Sequence, residues 1–384
     1  MFFSKLSQDS GNKDDEAYAQ LLLSHAHQLY NASTHILPYR KYQESVHLGG
    51  DFYSSSDYRD ELTLAALWMY YATKDQAFLN DASKFYQELG IANHRVPINW
   101  DDKYGAVYVL FARVTKPNDP NFHLRRQEAE SYLDWLVTGE RTMGGLMWWN
   151  DASPDASISC AMGASDLLLL YASTILMPLS QDPANQDNSL QTKANSYKEA
   201  AESQLRYIFG ENPIHQNYVV GESPNSPKYP HHAGASGVTG LQEMRQSALP
   251  AHVLYGAVVG GPNKNDSFSD RMDNWKENEV ALDYNGPYQN VIAHQIMYTT
   301  PDTVNVPSRT EIPDRKQFPK WGIALSVVLP LLAIAVTLGA LWLHRKRLVS
   351  SKVHRHSPAE STMSAEDAQI VPSGQVDVKE AIIV

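Results

Sequence analysis

The segment from Trp321 to Leu343, WGIALSVVLPLLAIAVTLGALWL, carries no charged residue from end to end. At about 1.5 Å per helical residue, roughly 20 such residues cross a hydrocarbon core about 30 Å thick. Trp321 and Trp342 lie near its two ends, where interfacial aromatics belong. A buried helix of a soluble core seldom runs this long without a polar face, and a membrane helix tolerates a residue such as Pro330. The segment therefore predicts a transmembrane helix over 321–343. It divides the chain into a domain over 1–300, a Pro-containing stalk over 301–320 and, beyond the span, a disordered tail over 344–384.

Flanking charge sets the expected orientation. His344, Arg345, Lys346 and Arg347 favour a cytoplasmic C-terminus and an extracellular or lumenal domain, against the weaker pull of Arg309, Arg315, Lys316 and Lys320 before the span. The glycosylation tripeptides Asn31-Ala32-Ser33 and Asn265-Asp266-Ser267 agree with an exterior domain. The opening MFFSKLSQDSGNKDDEAYAQ lacks the apolar core of a cleavable signal, so export is expected to depend on sequence upstream of Met1.

A formal net charge of -11, from 43 acidic against 32 basic residues, opposes a nucleic-acid partner, which requires a basic face. Cys160 is the only cysteine, which rules out an intrachain disulfide and a cysteine-rich zinc cluster. No acidic loop of the Asp-x-Asp-x-Asn-Gly kind is present, and the sequence implies neither a metal nor another cofactor.

Residues 16–300 read as helices joined by long loops. In Asp57 to Thr73, Leu62, Ala65, Ala66, Met69 and Tyr70 recur on one helical face, with Ser54, Ser55 and Ser56 placed as caps. In Ser196 to Phe209, Ala200, Ala201, Leu205 and Ile208 share a face and Gly210 stands at the stop position. Further helices are predicted over 16–30, 76–89, 123–137 and 162–174. The Gly-, Pro-, Asn- and aromatic-rich segments 141–160 and 210–266 are predicted loops, and loops this long in a compact domain usually carry function.

Ser267 to Gly286, SFSDRMDNWKENEVALDYNG, sets Asp270, Asp273, Glu277, Glu279 and Asp283 among apolar residues. As one continuous helix it would place Asp273 with Glu277, and Glu279 with Asp283, as destabilising like-charged pairs at i, i+4. Val280, Leu282 and Tyr284 lie among the acids, so one carboxyl is expected beside apolar surface, where desolvation raises its proton affinity and suits it to general-acid work. On periodicity and charge alone a solvated loop is the favoured reading of the stretch. A second segment, Gly210 to His232, ends in His231 and His232. Adjacent histidines project differently and make a poor metal site, so hydrogen bonding to a polar substrate is the better reading, with an incidental surface loop as the alternative.

Together these loops resemble glycoside hydrolase family 9, the inverting endoglucanases. The family's acidic signature is matched in order by Phe268, Asp270, Trp275, Glu279, Ala281 and Asn285, after YGAVVGGP at Tyr255 to Pro262. YSSSDYRDEL at Tyr53 to Leu62, INWDDKYGAVYVLFAR at Ile98 to Arg113 and GGLMWW at Gly144 to Trp149 also look like the family. The resemblance implies an all-α fold, an (α/α)6 barrel of paired helices, acting on β-1,4-glucan chains. It implies Glu279 as general acid and Asp270 and His231 as supporting active-site residues. His232 suits a hydrogen bond to the substrate, and Trp148, Trp149 and Trp275 suit stacking on sugar faces, with core or loop packing the competing reading for the tryptophans.

Departures from the family pattern bear on activity. The family's base motif, Asp-Ala-Gly-Asp, does not occur in this sequence, and the resemblance would place it before residue 1. Ala233 stands where the family has an arginine, and Gly286 where it has another small residue. A chain supplying only the later helices of a barrel would leave apolar helix faces uncovered. The leading reading is a membrane-anchored endo-1,4-β-glucanase; the alternative is a non-catalytic, membrane-tethered carbohydrate binder. A purely structural anchored protein leaves the ordered signature unexplained.

Overall fold

The computed structural model describes residues 11–298, apart from 51, 184–187, 239, 241–242 and 244–249. The expected stalk, membrane span and tail lie outside the described residues. The long helices are α1 (Lys13–His35), α2 (Arg59–Thr73), α3 (Gln76–Glu88), α4 (Tyr104–Val114), α5 (Phe122–Thr138), α6 (Ser153–Tyr171), α7 (Asn188–Ile208) and α8 (Leu282–Tyr298). No strand occurs among the described residues, only three isolated bridges. Helices α2, α4, α6 and α8 contact one another in succession as one layer, with α3 packed on α2, α5 on α4 and α7 on α6 as a second. These helical hairpins lie within a single unit, Met1–Thr300.

The amphipathic helices form for the reasons their sequences give. On α2, Leu62, Ala66, Met69 and Tyr70 are buried and Ala65 is half-buried. The expected serine caps are not used: Ser55 Oγ donates to the Asp57 carbonyl at 2.6 Å and Ser56 N–H is taken by the Asp101 carboxylate, so Asp57 Oδ1 accepts the Arg59 N–H at 2.6 Å instead. Helix α7 begins before the predicted Ser196 and ends as expected, with Gly210 at φ +107° just beyond it.

Three departures concern the helices nearest the core. Helix α4 was not expected: nine of its eleven residues are buried, so no polar face reveals its period. Helix α6 starts at Ser153, inside the segment predicted as loop 141–160. Pro154 in its first turn lacks only an N–H that would be orphaned there anyway, and Ser157 Oγ donates to the Pro262 carbonyl at 2.8 Å. Helix α8 contains Gly286 and Pro287, which hide it in the sequence. Pro287 cannot donate to the Asp283 carbonyl four residues back; Ser159 Oγ of α6 supplies a donor to that oxygen at 3.5 Å.

The stretch Ser153–Ser180 is long and apolar enough to cross a membrane by length and composition, but most of it is buried inside this domain, as a core helix. It continues past α6 through a π-helical turn at Ala172–Leu176.

Between α6 and α8, Asn290 Nδ2 donates to Asp166 Oδ2 at 3.2 Å, and burial pushes the Asp166 carboxyl up to about 6 from its ordinary 3.8. The folded state therefore binds this proton more tightly than the unfolded chain, and stability falls as pH rises from 3.8 to about 6. Asp166→Asn is expected to remove that dependence. Its Tm advantage over the parent should widen across this window and stay constant above it, whereas a pH-independent difference would contradict the assignment.

Candidate active site

The acidic stretch is not one helix. It folds as a turn of helix at Trp275–Asn278, an extended link through Glu279 (φ -61°, ψ 143°), and then α8. Breaking the helix at Glu279 removes the like-charged i, i+4 geometry and sets the carboxyl on a link between two elements. Glu279 Oε1 accepts from Tyr53 Oη at 3.0 Å and Oε2 from Tyr284 Oη at 3.1 Å. Tyr284 is buried (5% exposed) and Tyr53 is half open (50% exposed). Burial, and next the Glu279 charge, push the Tyr53 hydroxyl up to about 12 and the Tyr284 hydroxyl higher, so both stay protonated donors.

The histidine loop runs alongside. His231 pairs with Glu279 in a parallel bridge, and its N–H donates to the Asn278 carbonyl at 2.7 Å. Its Nδ1 lies 2.6 Å from the Met272 carbonyl, which can only accept, so Nδ1 carries a proton. His232 does a different job: its Nδ1 accepts the Ala235 N–H at 3.1 Å and caps the short turn Ala233–Ser236. Ala233, at the position of the family's arginine, is exposed.

Asp270, held at φ +38°, accepts from the backbone of Lys228 at 3.0 Å and of Tyr229 at 3.1 Å. It splices the acidic stretch to the histidine loop and so positions His231 indirectly. Asp273 pairs with Arg271 at 2.6 Å, and Glu277 accepts from the N–H and hydroxyl of Ser269 at 2.7 and 2.6 Å, both as loop-structuring groups. Asp283 lies on another element. It is half-buried on the first turn of α8 beside Ser159, and burial together with the Glu279 charge holds its carboxyl above the usual range.

The tryptophans separate. Trp275 is 46% exposed beside Glu279, with Lys276 Nζ 5.2 Å from its ring centroid. Trp149 is half-buried and tilted against Trp135, with centroids 6.1 Å apart. Trp148 is 3% exposed and its Nε1 donates to Asn150 Oδ1 at 3.0 Å, which favours the packing reading of this residue over stacking on a sugar. The loop bearing it is anchored by buried Asp266, which accepts from Gly144 N–H at 2.7 Å and Tyr207 Oη at 2.5 Å.

Tyr53, Tyr284 and Asp283 are the site residues that sequence reasoning did not assign. Each lies inside a stretch already singled out, but nothing in a one-dimensional pattern brings Tyr53 to a carboxyl 226 residues away. A surface concavity of about 360 Å³ lined by Ser269, Arg271, Asp273 and Asn274 borders the Asp270 loop. A larger one, about 520 Å³, lies between α5 and α7, where Arg126, Glu130, Asp134 and Lys193 form a salt-bridged network, and none of its lining residues belongs to the Glu279 cluster.

Endoglucanase A of Bacillus pumilus is 36% identical over 295 residues, covering 73% of this chain and 41% of that protein. Among solved structures, the endoglucanase of the termite Nasutitermes takasagoensis matches with a TM-score of 0.62 at 33% identity, covering 73% of this chain and 60% of that one. Endoglucanase CelQ of Clostridium thermocellum, solved with cellobiose and cellotriose, matches with a TM-score of 0.56 at 28% identity over 78% of this chain and 47% of that one. The chain thus spans about two fifths to three fifths of the length of these relatives. Its paired helices are those of the (α/α)6 barrel fold. The model of Glycosyl hydrolase family 9 matches residues 4–292, three quarters of the sequence, and the chain belongs to that family.

Proposed function

We propose that the protein is a membrane-anchored endo-1,4-β-glucanase that cleaves cellulose-type chains with inversion, Glu279 being its general acid. The observation that carries this reading is the Glu279 carboxyl itself, on a link between two elements, gripped by two phenols and flanked by His231. Tyr284 lies in the core while Tyr53 is half open, so the Oε1 side is the one substrate can reach. The proton on Glu279 passes to the leaving glycosidic oxygen as the bond from that oxygen to the anomeric carbon breaks. Water attacks the opposite face of that carbon, and its proton goes to a base carboxylate, which inversion requires about 6.5–9.5 Å from the acid. His231 Nε2 and exposed Trp275 suit contacts to sugar hydroxyls and a sugar face. The cellobiose and cellotriose bound to CelQ support a β-1,4-glucan substrate, and the apolar stretch 321–343 supports the anchor.

One observation favours a second reading, a tethered carbohydrate binder without catalysis: the sequence contains no Asp-Ala-Gly-Asp tetrapeptide to supply the base. Incubating the detergent-solubilised 384-residue chain with cellohexaose, while following both new reducing ends and calorimetric binding, separates the two. Hydrolysis supports the glucanase, binding that stays without hydrolysis even when the chain is joined to a family 9 segment bearing Asp-Ala-Gly-Asp supports the binder, and neither binding nor hydrolysis would refute both.

A further inference from the structure

The segment from Leu254 to Pro262 packs against the Trp275–Asn278 turn and the start of α8, the two elements that flank Glu279. Gly260 passes so close to the Trp275–Asn278 turn that a Cβ on it would collide with the Lys276 carbonyl. Gly261 N–H donates to the Glu277 carbonyl at 2.9 Å and Val258 N–H to Asn285 Oδ1 at 3.0 Å. At its start this segment carries an unusual side chain. Ala257 N–H donates to the Leu254 carbonyl at 3.1 Å and Gly256 has φ +84°, the signature of a type II turn with Tyr255 at its first corner.

That turn is clamped to the neighbouring loop, because Val220 N–H donates to the Ala257 carbonyl at 2.8 Å and Gly256 N–H to the Val220 carbonyl at 2.9 Å. Next in that loop, Gly221 sits at φ +75°, and the Tyr255 ring lies where a Cβ on Gly221 would be. The ring is therefore seated on glycine backbone, and yet Tyr255 is 78% exposed. A lone exposed aromatic is ordinary. One fixed at a clamped turn and accommodated by a left-handed glycine is preorganised, so little side-chain freedom remains to be lost on binding.

We propose that Tyr255 is a stacking platform for a glucosyl unit of the β-glucan chain, on the segment that packs against the elements flanking Glu279 and away from the bond being cleaved. The proposal rests on the substrate class inferred above. A pyranose offers apolar C–H faces that a rigid tyrosine ring can cover, and the hydroxyl end of the ring remains in water.

The test is calorimetric titration of cellohexaose into the full-length chain carrying Glu279→Gln, which prevents turnover, with and without a change at Tyr255. Tyr255→Ala is expected to weaken binding roughly three- to tenfold, and Tyr255→Phe to retain it, because the ring and not the hydroxyl does the stacking. Gly221→Ala, checked for an unchanged circular-dichroism spectrum, is expected to weaken binding like Tyr255→Ala by displacing the ring. Unchanged affinity in Tyr255→Ala, or a loss in Tyr255→Phe equal to that in Tyr255→Ala, overturns the platform and leaves the substrate class standing. Absence of cellohexaose binding in the Glu279→Gln parent overturns the substrate class, and the platform with it.

Discussion

Replacing Glu279 by Gln is expected to lower cello-oligosaccharide hydrolysis by about two to four powers of ten, the range that one general acid contributes. The test suits a chain joined to a family 9 segment that bears Asp-Ala-Gly-Asp, so that a base is present. Gln keeps the shape of Glu and can still accept from one phenol. The other phenol, half open in the case of Tyr53, can turn to accept from the new amide. Fold and ligand binding should therefore survive, with a Tm within a few degrees of the parent. What Gln cannot do is release a proton to the leaving oxygen. Hydrolysis at the parental rate would remove Glu279 from the mechanism.

The largest stability effect is expected at Asp266, far in sequence from the loop it holds. Its carboxylate is 2% exposed and accepts from Gly144 N–H and Tyr207 Oη. Asp266→Ala strands a half-buried amide and a buried hydroxyl without an acceptor, at a cost of about 2–4 kcal/mol. In a domain of this size that is a fall in Tm of roughly 5–10 °C. The segment Gly144 to Trp149 should also loosen, visible as faster amide exchange there than in α2 or α4. A Tm within one or two degrees of the parent would mean that the network contributes little.

How far the sequence could be read depended on the kind of pattern each element offers. Helices α2, α3, α5 and α7 face the core on one side only, and that one-sidedness is legible as a period. Helices α4 and α6 are buried on nearly all sides, so the period vanishes; α4 went unseen, and the start of α6 was mistaken for loop because Ser153, Pro154 and Asp155 are turn formers elsewhere. In α8 the local propensities of Gly286 and Pro287 argue against a helix, and packing against α6 overrides them. The site shows the same division. Glu279 and His231 could be singled out because they fall in loops that resemble an ordered family signature, and the structure places their backbones side by side. Tyr53 was not, since only the folded chain brings it to Glu279 Oε1. For Trp148 the two readings stayed open because an aromatic pair in a loop reads the same whether it faces sugar or core, and its burial in the folded chain favours packing.

If Glu279 protonates the leaving group of a glycosidic bond cleaved with inversion, the anomer released first is fixed by that geometry. Proton NMR of the sugars released in the first minutes from cellopentaose, before mutarotation, reads this directly. With the chain joined to a family 9 segment that bears Asp-Ala-Gly-Asp, the α-anomer is expected to appear first, and new reducing ends are expected to form at least a hundredfold more slowly once that chain carries Glu279→Gln. The β-anomer appearing first, or the same anomer released as fast without the Glu279 carboxyl, would contradict it.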